Sequence, residues 1–212
     1  MKNLWMKITI IIMLFCLPLA VFAQRFNGGM LAGGVVSQVD GDNYGGYNKY
    51  GFLGGGFVSL KVSPHSSFML EMEYIQKGAR VNADSITNTG NTYLTRLHYL
   101  EIPLLYQYTF ANRLQVEVGP AVDVLLGTHV EINGIEPPYI TVPYRPVTLS
   151  GIAGFSCFIT DHLKAGLRAN YSLLSIRSAG YVYGQRKILF EAGQYNNVLS
   201  LALSWYFKPR DH

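Results

Sequence analysis

The chain has 212 residues, of which 49% are hydrophobic and 14% charged, and its formal net charge at pH 7 is +4. This length lies within the range of a single domain. The positive excess is small and no dense Lys/Arg stripe accompanies it, which argues against a nucleic-acid-binding protein.

The N-terminal segment has the layout of a secretory signal peptide. A basic start leads into an apolar run over residues 8–17, and a small-residue site ends at Ala23. This pattern predicts that residues 1–23 are a cleaved signal peptide and that residues 24–212 form one exported domain. Cys157 is then the single cysteine, so no internal disulfide is expected.

Apolar and polar side chains alternate with a period of two along the exported part. Every odd position between Leu163 and Leu173 is apolar, and every even one is polar or glycine. Residues 114–124 alternate in the same way on even numbers. Because successive side chains of a strand point to opposite faces, each stretch predicts a strand with one apolar and one polar face.

Eight such strands are predicted, and their length is informative. They cover residues 26–37, 50–62, 67–78, 95–109, 113–126, 147–159, 163–176 and 195–207. A strand tilted across a bilayer needs about 9–11 residues, whereas ordinary strands average about 5–6. The predicted lengths favour strands that cross a membrane.

The predicted connections alternate between short and long. Tight turns are expected at 63–66, 110–113 and 160–162. Long loops are expected at 38–49, 79–94, 127–146 and 177–194. This asymmetry is typical of outer-membrane barrels. The sequence therefore predicts an all-β fold: an eight-stranded antiparallel up-and-down transmembrane β-barrel in the outer membrane of a Gram-negative bacterium, with short periplasmic turns and four longer extracellular loops.

Aromatic residues gather near both ends of the predicted strands, as expected for two girdles at the membrane interfaces. Tyr144, Tyr195 and His98 are assigned to the outer girdle, and Phe158 and Trp205 to the inner one.

Two stretches carry a family resemblance. Residues 74–78 read YIQKG at the end of the predicted third strand, and residues 99–106 read YLEIPLLY in the fourth. With a leader that ends in Ala-Gln, they resemble the PorT-like outer-membrane β-barrel proteins of Bacteroidetes, in layout over essentially the whole mature chain. The resemblance implies an exported barrel, and some relatives are implicated in type IX secretion. It supplies no catalytic or ligand-binding residues.

Charged residues on the polar phase are predicted to point into the barrel. They are Lys61, Glu71, Glu73, Glu101, Glu117, Asp123, Lys164 and Arg168. Eight strands leave an interior just wide enough for side chains, and unpaired buried charge is costly. A paired polar network is therefore predicted, and a narrow polar path or small-ligand site is the alternative.

No residue pattern points to catalysis or metal binding. The five histidines are scattered without metal-ligand spacing. Serine and histidine occur without the spacing that would specify a catalytic triad. Glu71 and Glu73 share one strand face, which a polar barrel interior explains. Neither an enzymatic activity nor a cofactor is predicted.

The predicted function is a structural or interaction role through the extracellular loops. Besides outer-membrane lipids, envelope or secretion-complex proteins are the candidate partners. Loop residues are candidate contacts because functional residues concentrate on exposed loops. Those selected are Pro137, Pro138, Tyr139, Tyr144, Arg145, Tyr181, Tyr183, Arg186 and Lys187.

Two alternatives remain at this stage. One is a soluble periplasmic lipocalin-like barrel that binds a ligand within its apolar face. In that arrangement Lys164, Arg168 and Glu117 would face solvent, while Leu167 and Val118 would line the inside. The other is a lipid-modifying outer-membrane enzyme.

Overall fold

The computed structural model describes residues 26–42, 45–82, 92–111, 113–137, 142–178, 186–188 and 191–209. Ten β-strands lie in these ranges: β1 (Phe26–Asp40), β2 (Lys49–Lys61), β3 (Ser66–Val81), β4 (Tyr93–Phe110), β5 (Leu114–Ile132), β6 (Val147–Phe158), β7 (Leu163–Ser172), β8 (Arg177–Ser178), β9 (Arg186–Ile188) and β10 (Glu191–Tyr206). Within the described residues, no helix is long and apolar enough to cross a bilayer.

Eight of the strands form a closed ring. From β1 to β7 each strand pairs antiparallel with the next, and β10 pairs with β7 on one side and with β1 on the other. The short strands β8 and β9 pair with the outer end of β10. The predicted eight-stranded up-and-down barrel is confirmed.

The apolar phase faces outward and the charged phase faces inward. Leu167 and Val118 expose 57% and 56% of their surface, whereas Lys164, Arg168 and Glu117 expose 1%, 6% and 3%. This orientation is the one a membrane barrel requires and contradicts the lipocalin-like alternative. Apolar side chains from neighbouring strands continue the outer surface. They include Met30, Phe52, Val58, Leu70, Met72, Leu104, Leu149, Phe155 and Leu201.

Most strands of the ring extend further at their outer ends than the sequence predicts, including β1, which ends at Asp40, and β10, which begins at Glu191. The ladder of β3, β4 and β5 continues to Val81, Tyr93 and Ile132, which pair across the sheet. The predicted long loops at 79–94 and 127–146 are correspondingly shorter. Strands beyond the bilayer need no lipid-facing side, so alternation of apolar and polar residues weakens there while hydrogen bonding continues.

Three aromatic residues do not lie in the girdles to which they were assigned. Phe158, Tyr144 and Tyr195 are buried, with at most 8% of their surface exposed. Phe158 lies on the inward phase of β6, and its ring centroid is 5.5 Å from that of Tyr206. The prediction used position along the strand and neglected phase. Trp205, by contrast, is 52% exposed.

Strand β3 adopts an unusual backbone conformation at Gly78, where φ is +134°. Lys77, Gly78 and Ala79 are all buried in succession, so the alternation of faces breaks here. The Ser37 hydroxyl of β1 donates a 2.9 Å hydrogen bond to the Gly78 carbonyl oxygen. The outer part of β3 therefore contacts β1, which is not its neighbour in the ring.

Gly78→Ala is expected to destabilise the barrel by at least about 2 kcal/mol. The alanine would have to keep a positive φ that is strained for a residue with a side chain, and its Cβ would overlap the Thr95 carbonyl oxygen. Gly34→Ala is the matched control, since no atom lies within 4 Å of its added Cβ. Urea unfolding of the refolded protein in detergent micelles measures both. Equal stability of the two variants would contradict the assigned role of Gly78.

Candidate functional site in the barrel lumen

Arg168 connects opposite walls of the lumen. It projects from β7, and β3 stands four strands away in the eight-stranded ring. Its Nη1 and Nη2 donate to the two carboxylate oxygens of Glu71 on β3, at 2.6 and 2.7 Å. Its Nε donates to Glu117 Oε1 on β5 at 2.5 Å. Bidentate pairs of this kind combine strength with a fixed geometry.

Polar side chains extend this group toward the periplasmic end. Gln107 Nε2 donates to the second oxygen of Glu117 at 2.8 Å. Lys164 Nζ lies 3.6 Å from the same oxygen and donates to Gln115 Oε1 at 3.1 Å. The Lys164 ammonium also lies 5.8 Å from the centroid of the Tyr206 ring. Each charge in this part of the lumen thus has an oppositely charged partner.

A second group lies around Lys77. Lys77 Nζ forms ion pairs with Glu101 and with Asp123 Oδ1, the latter at 2.8 Å. The Asn170 amide nitrogen is 2.8 Å from both oxygens of Glu101. Glu73 is the cross-strand neighbour of Glu101. Here carboxylates from β4 and β5 flank one ammonium group, and Glu73 of β3 lies beside Glu101.

Seven of the eight residues predicted for the lumen are buried inside it, and they divide between these two groups. Lys61 is the exception, because it is exposed at the periplasmic mouth. It has the inward phase, but it is the last residue of β2. Its ammonium group therefore meets the aqueous rim, and the prediction was wrong for this residue.

Several members of the network were not among the residues predicted from the sequence. Lys77 lies four residues after Glu73 on the same odd phase and within the predicted strand 67–78, so following that phase to the end of the strand would have found it. Gln107, Gln115 and Asn170 also have the inward phase, but only charged residues were predicted to form the network. In all four cases, the residue's inward position in the alternation of the strand could have identified it.

The lumen contacts favour a packed plug over an open path. Arg168 and Asn170 both bond from β7 to strands on the other side of the ring. Breaking such buried pairs is strongly unfavourable. The described residues also contain no group of three or more His, Cys, Asp or Glu side chains able to hold a metal ion.

The loop residues predicted from sequence as contacts have different outcomes in the structure. Tyr144 is buried, and the Arg177 guanidinium lies 5.0 Å from its ring centroid, so it is not an outward contact. Pro137 and Arg145 are half-buried. Pro138, Tyr139, Tyr181 and Tyr183 lie outside the described residues, and for Arg186 and Lys187 only the backbone of β9 is described.

His98 lies on the outer surface, as predicted. Its Nδ1 and the Tyr74 hydroxyl are hydrogen-bonded at 2.5 Å, and Gln76 Nε2 donates to that hydroxyl at 3.0 Å. These three side chains form a small polar patch on the outward faces of β3 and β4, well apart from the lumen groups.

Residues 22–178 match the family described as outer membrane protein beta-barrel domain. The chain belongs to this family. Together with the closed ring and its apolar exterior, membership places the protein in the outer membrane. No curated protein matches the chain.

Several solved barrels are similar to this protein in fold. Ail of Yersinia pestis has 12% identity and a TM-score of 0.47, over 85% of this chain and 98% of Ail. Neisserial surface protein A has 12% identity and a TM-score of 0.48, over 86% and 97%. OprG of Pseudomonas aeruginosa has 13% identity and a TM-score of 0.42, over 86% and 94%.

Arg168→Met is expected to lower the free energy of unfolding by about 3–5 kcal/mol, because Glu71 loses its buried partner and Glu117 loses one of its two buried cationic partners. Arg80→Met makes the same change at an exposed site of β3 and should cost no more than about 0.5 kcal/mol. Urea titration in micelles gives both values. Adding Glu71→Gln to the Arg168→Met variant should restore part of the lost stability. If the double variant regains none, the pairing of Arg168 with Glu71 is contradicted.

The cross-lumen contacts also predict that the purified protein produces no stable conductance steps in planar lipid bilayers. A porin recorded in the same apparatus is the positive control. Steps of reproducible size from the wild-type chain would show that the network does not close the lumen.

Proposed function

We propose that this protein is a non-catalytic outer-membrane barrel that binds partner proteins at its extracellular end. The observation that carries the proposal is an apolar tip on the projecting part of β5. Because lumen side chains bond to one another across the ring, the surfaces left for recognition lie at the two ends of the barrel.

The projecting sheet formed by the outer parts of β3, β4 and β5 supports the tip. At its edge, β5 ends in a tight turn in which Ile132 and Ile135 exchange two backbone hydrogen bonds of 2.9 and 3.0 Å. Asn133 and Gly134 occupy this turn with positive φ angles of 53° and 76°. Asn133 Oδ1 accepts a 2.9 Å hydrogen bond from the Thr92 backbone N–H, which ties the turn to the start of β4.

The side chains at this turn are unusually exposed for their type. Ile135 exposes 71% of its surface and Ile132 exposes 47%. Their distance along the strands from the lipid-facing belt argues against bilayer contact. Exposed apolar residues on a rigid support are typical of protein-binding surfaces. The same loop contains Pro137, one of the contacts predicted from sequence.

We further propose that the partner belongs to envelope or secretion machinery of the type IX kind. This rests on the resemblance to PorT-like proteins in residues 74–78 and 99–106. In the fold the two stretches lie on adjacent strands, where Ile75 pairs with Tyr99 and Lys77 forms an ion pair with Glu101. The two stretches thus form one region of the barrel wall, and the apolar tip lies on the extracellular side of that region.

A photo-crosslinking amino acid placed at Ile135 in cells is expected to yield a discrete protein adduct, because the apolar tip contacts a partner. Ile159 is the matched control, since it is 51% exposed on a periplasmic turn. Mass spectrometry identifies the adduct, and Ile132→Ser should reduce its yield several-fold.

The outcomes separate the two levels of the proposal. An adduct with a component of the secretion machinery, accompanied by reduced cargo export in a deletion strain, supports the finer one. An adduct with another envelope protein supports partner binding alone. Equal, diffuse labelling from both positions would contradict a binding role for the tip.

A further inference from the structure

The outward face of the barrel wall changes from apolar to polar near the outer end of β4. Along this strand the outward positions pass from Leu104, Ile102 and Leu100 to His98 and Arg96. Aliphatic side chains suit hydrocarbon, whereas imidazole and guanidinium groups suit the headgroup region of a bilayer. The change therefore marks the level at which the hydrocarbon of the outer leaflet ends and its headgroups begin.

Arg96 is exposed at this level, between Gly78 on β3 and His129 on β5. Among the described residues, no carboxylate forms an ion pair with its guanidinium group. The nearby carboxylates of Glu131 and Glu136 face His129 instead, at 2.5 Å from its Nε2 and 3.8 Å from its Nδ1 respectively. The guanidinium group of Arg96 thus keeps donors available for an anion.

His98 presents a second donor on the same face. Gln76 Nε2 donates to the Tyr74 hydroxyl oxygen, so the proton of that hydroxyl is directed at His98 Nδ1. Because Nδ1 then acts as the acceptor, the proton of a neutral imidazole lies on Nε2. The space beside the ring is open, since a Cβ added to Gly127 on β5 would meet no atom nearer than His98 Cδ2, at 4.0 Å.

Lys49 adds a buried positive charge behind these two donors. It is the first residue of β2 and exposes 2% of its surface, and its ammonium group has no hydrogen-bond partner within the described part of the chain. Arg96 acts electrostatically on Lys49, and Lys49, Arg96 and His129 act on His98. All of these groups are bases. A buried charge without a counter-charge is costly, so an anion bound at this place would offset that cost.

Apolar side chains continue the same face toward the middle of the bilayer. Met72 on β3 and Leu104 on β4 are exposed below the donors. On the side of β2, the exposed ring of Phe52 lies 5.3 Å from that of Tyr74, measured between centroids. An anion site directly above a lipid-facing apolar surface fits an amphiphile better than a soluble anion.

We propose that Arg96 and His98 bind a phosphate group of a phosphorylated glycolipid in the outer leaflet, and that the ammonium group of Lys49 supplies the counter-charge behind them. The planar guanidinium fork matches two phosphate oxygens, and the Nε2–H group of His98 donates to a third. The acyl chains of the same lipid lie against the apolar face below. This site is on the wall of the barrel and is separate from the apolar tip at Ile132 and Ile135.

The refolded full-length protein in phosphatidylcholine nanodiscs, supplemented with increasing amounts of bis-phosphorylated lipid A, tests the proposal. The backbone amide NMR signals of Arg96, His98 and Gly127 are expected to shift and to saturate. Lipid A from which both phosphates have been removed is the matched ligand control and should leave these signals in place.

Arg96→Gln should weaken lipid A binding about tenfold, because it removes a charged bidentate donor. Arg113→Gln makes the same change at an exposed residue of the periplasmic end and should alter binding less than about twofold. Lys49→Met should weaken binding several-fold without lowering resistance to urea, since its ammonium group has no hydrogen bond to lose. This combination separates the loss of a counter-charge from the loss of the fold.

Three results would overturn the proposal: equal shifts with dephosphorylated lipid A, shifts that rise without saturating, or equal effects of Arg96→Gln and Arg113→Gln. Equal binding of phosphatidylglycerol in place of lipid A would overturn the assignment to a glycolipid.

Discussion

The ladder between β1 and β10 is the interaction on which the other features depend. It runs without a register break from the pair Gly29–Tyr206 to the pair Asp40–Tyr195. Hydrocarbon offers no water to backbone N–H and C=O groups, so a sheet that crosses it must have no free edge. This ladder removes the two edges that the up-and-down strand order would otherwise leave.

Closure at eight strands also determines the chemistry of the interior. Side chains of the polar phase meet in a space that they fill themselves, because a ring of this size leaves little room for water. Charges placed there must find partners across the ring. Arg168 of β7 pairs in this way with Glu71 and Glu117, and Lys77 of β3 pairs with Glu101 and Asp123 on the two strands that follow β3. The polar network is thus a consequence of closure and favours a structural role for the lumen.

The two ends of the filled barrel differ physically. The outer end extends three strands beyond the bilayer and presents apolar side chains at Ile132 and Ile135. At the inner end lies a pocket of about 200 Å³ lined by residues from β1, β2 and β4. An apolar tip suits contact with a protein surface.

Fold class and the division of residues between two faces were determined by the sequence itself, since alternation with a period of two is a local property and each residue's phase follows from its neighbours. Phase also placed Glu71, Glu117 and Arg168 inside, and would have placed Lys77. Which charges meet was decided only by the tertiary structure, because pairing across the ring depends on strand stagger. The same holds for Lys61 at the rim, for the burial of Tyr144 beside Arg177, and for the contact of Gly78 with Ser37. Each of these depends on where a strand ends or bends relative to others distant in sequence, which no local pattern records.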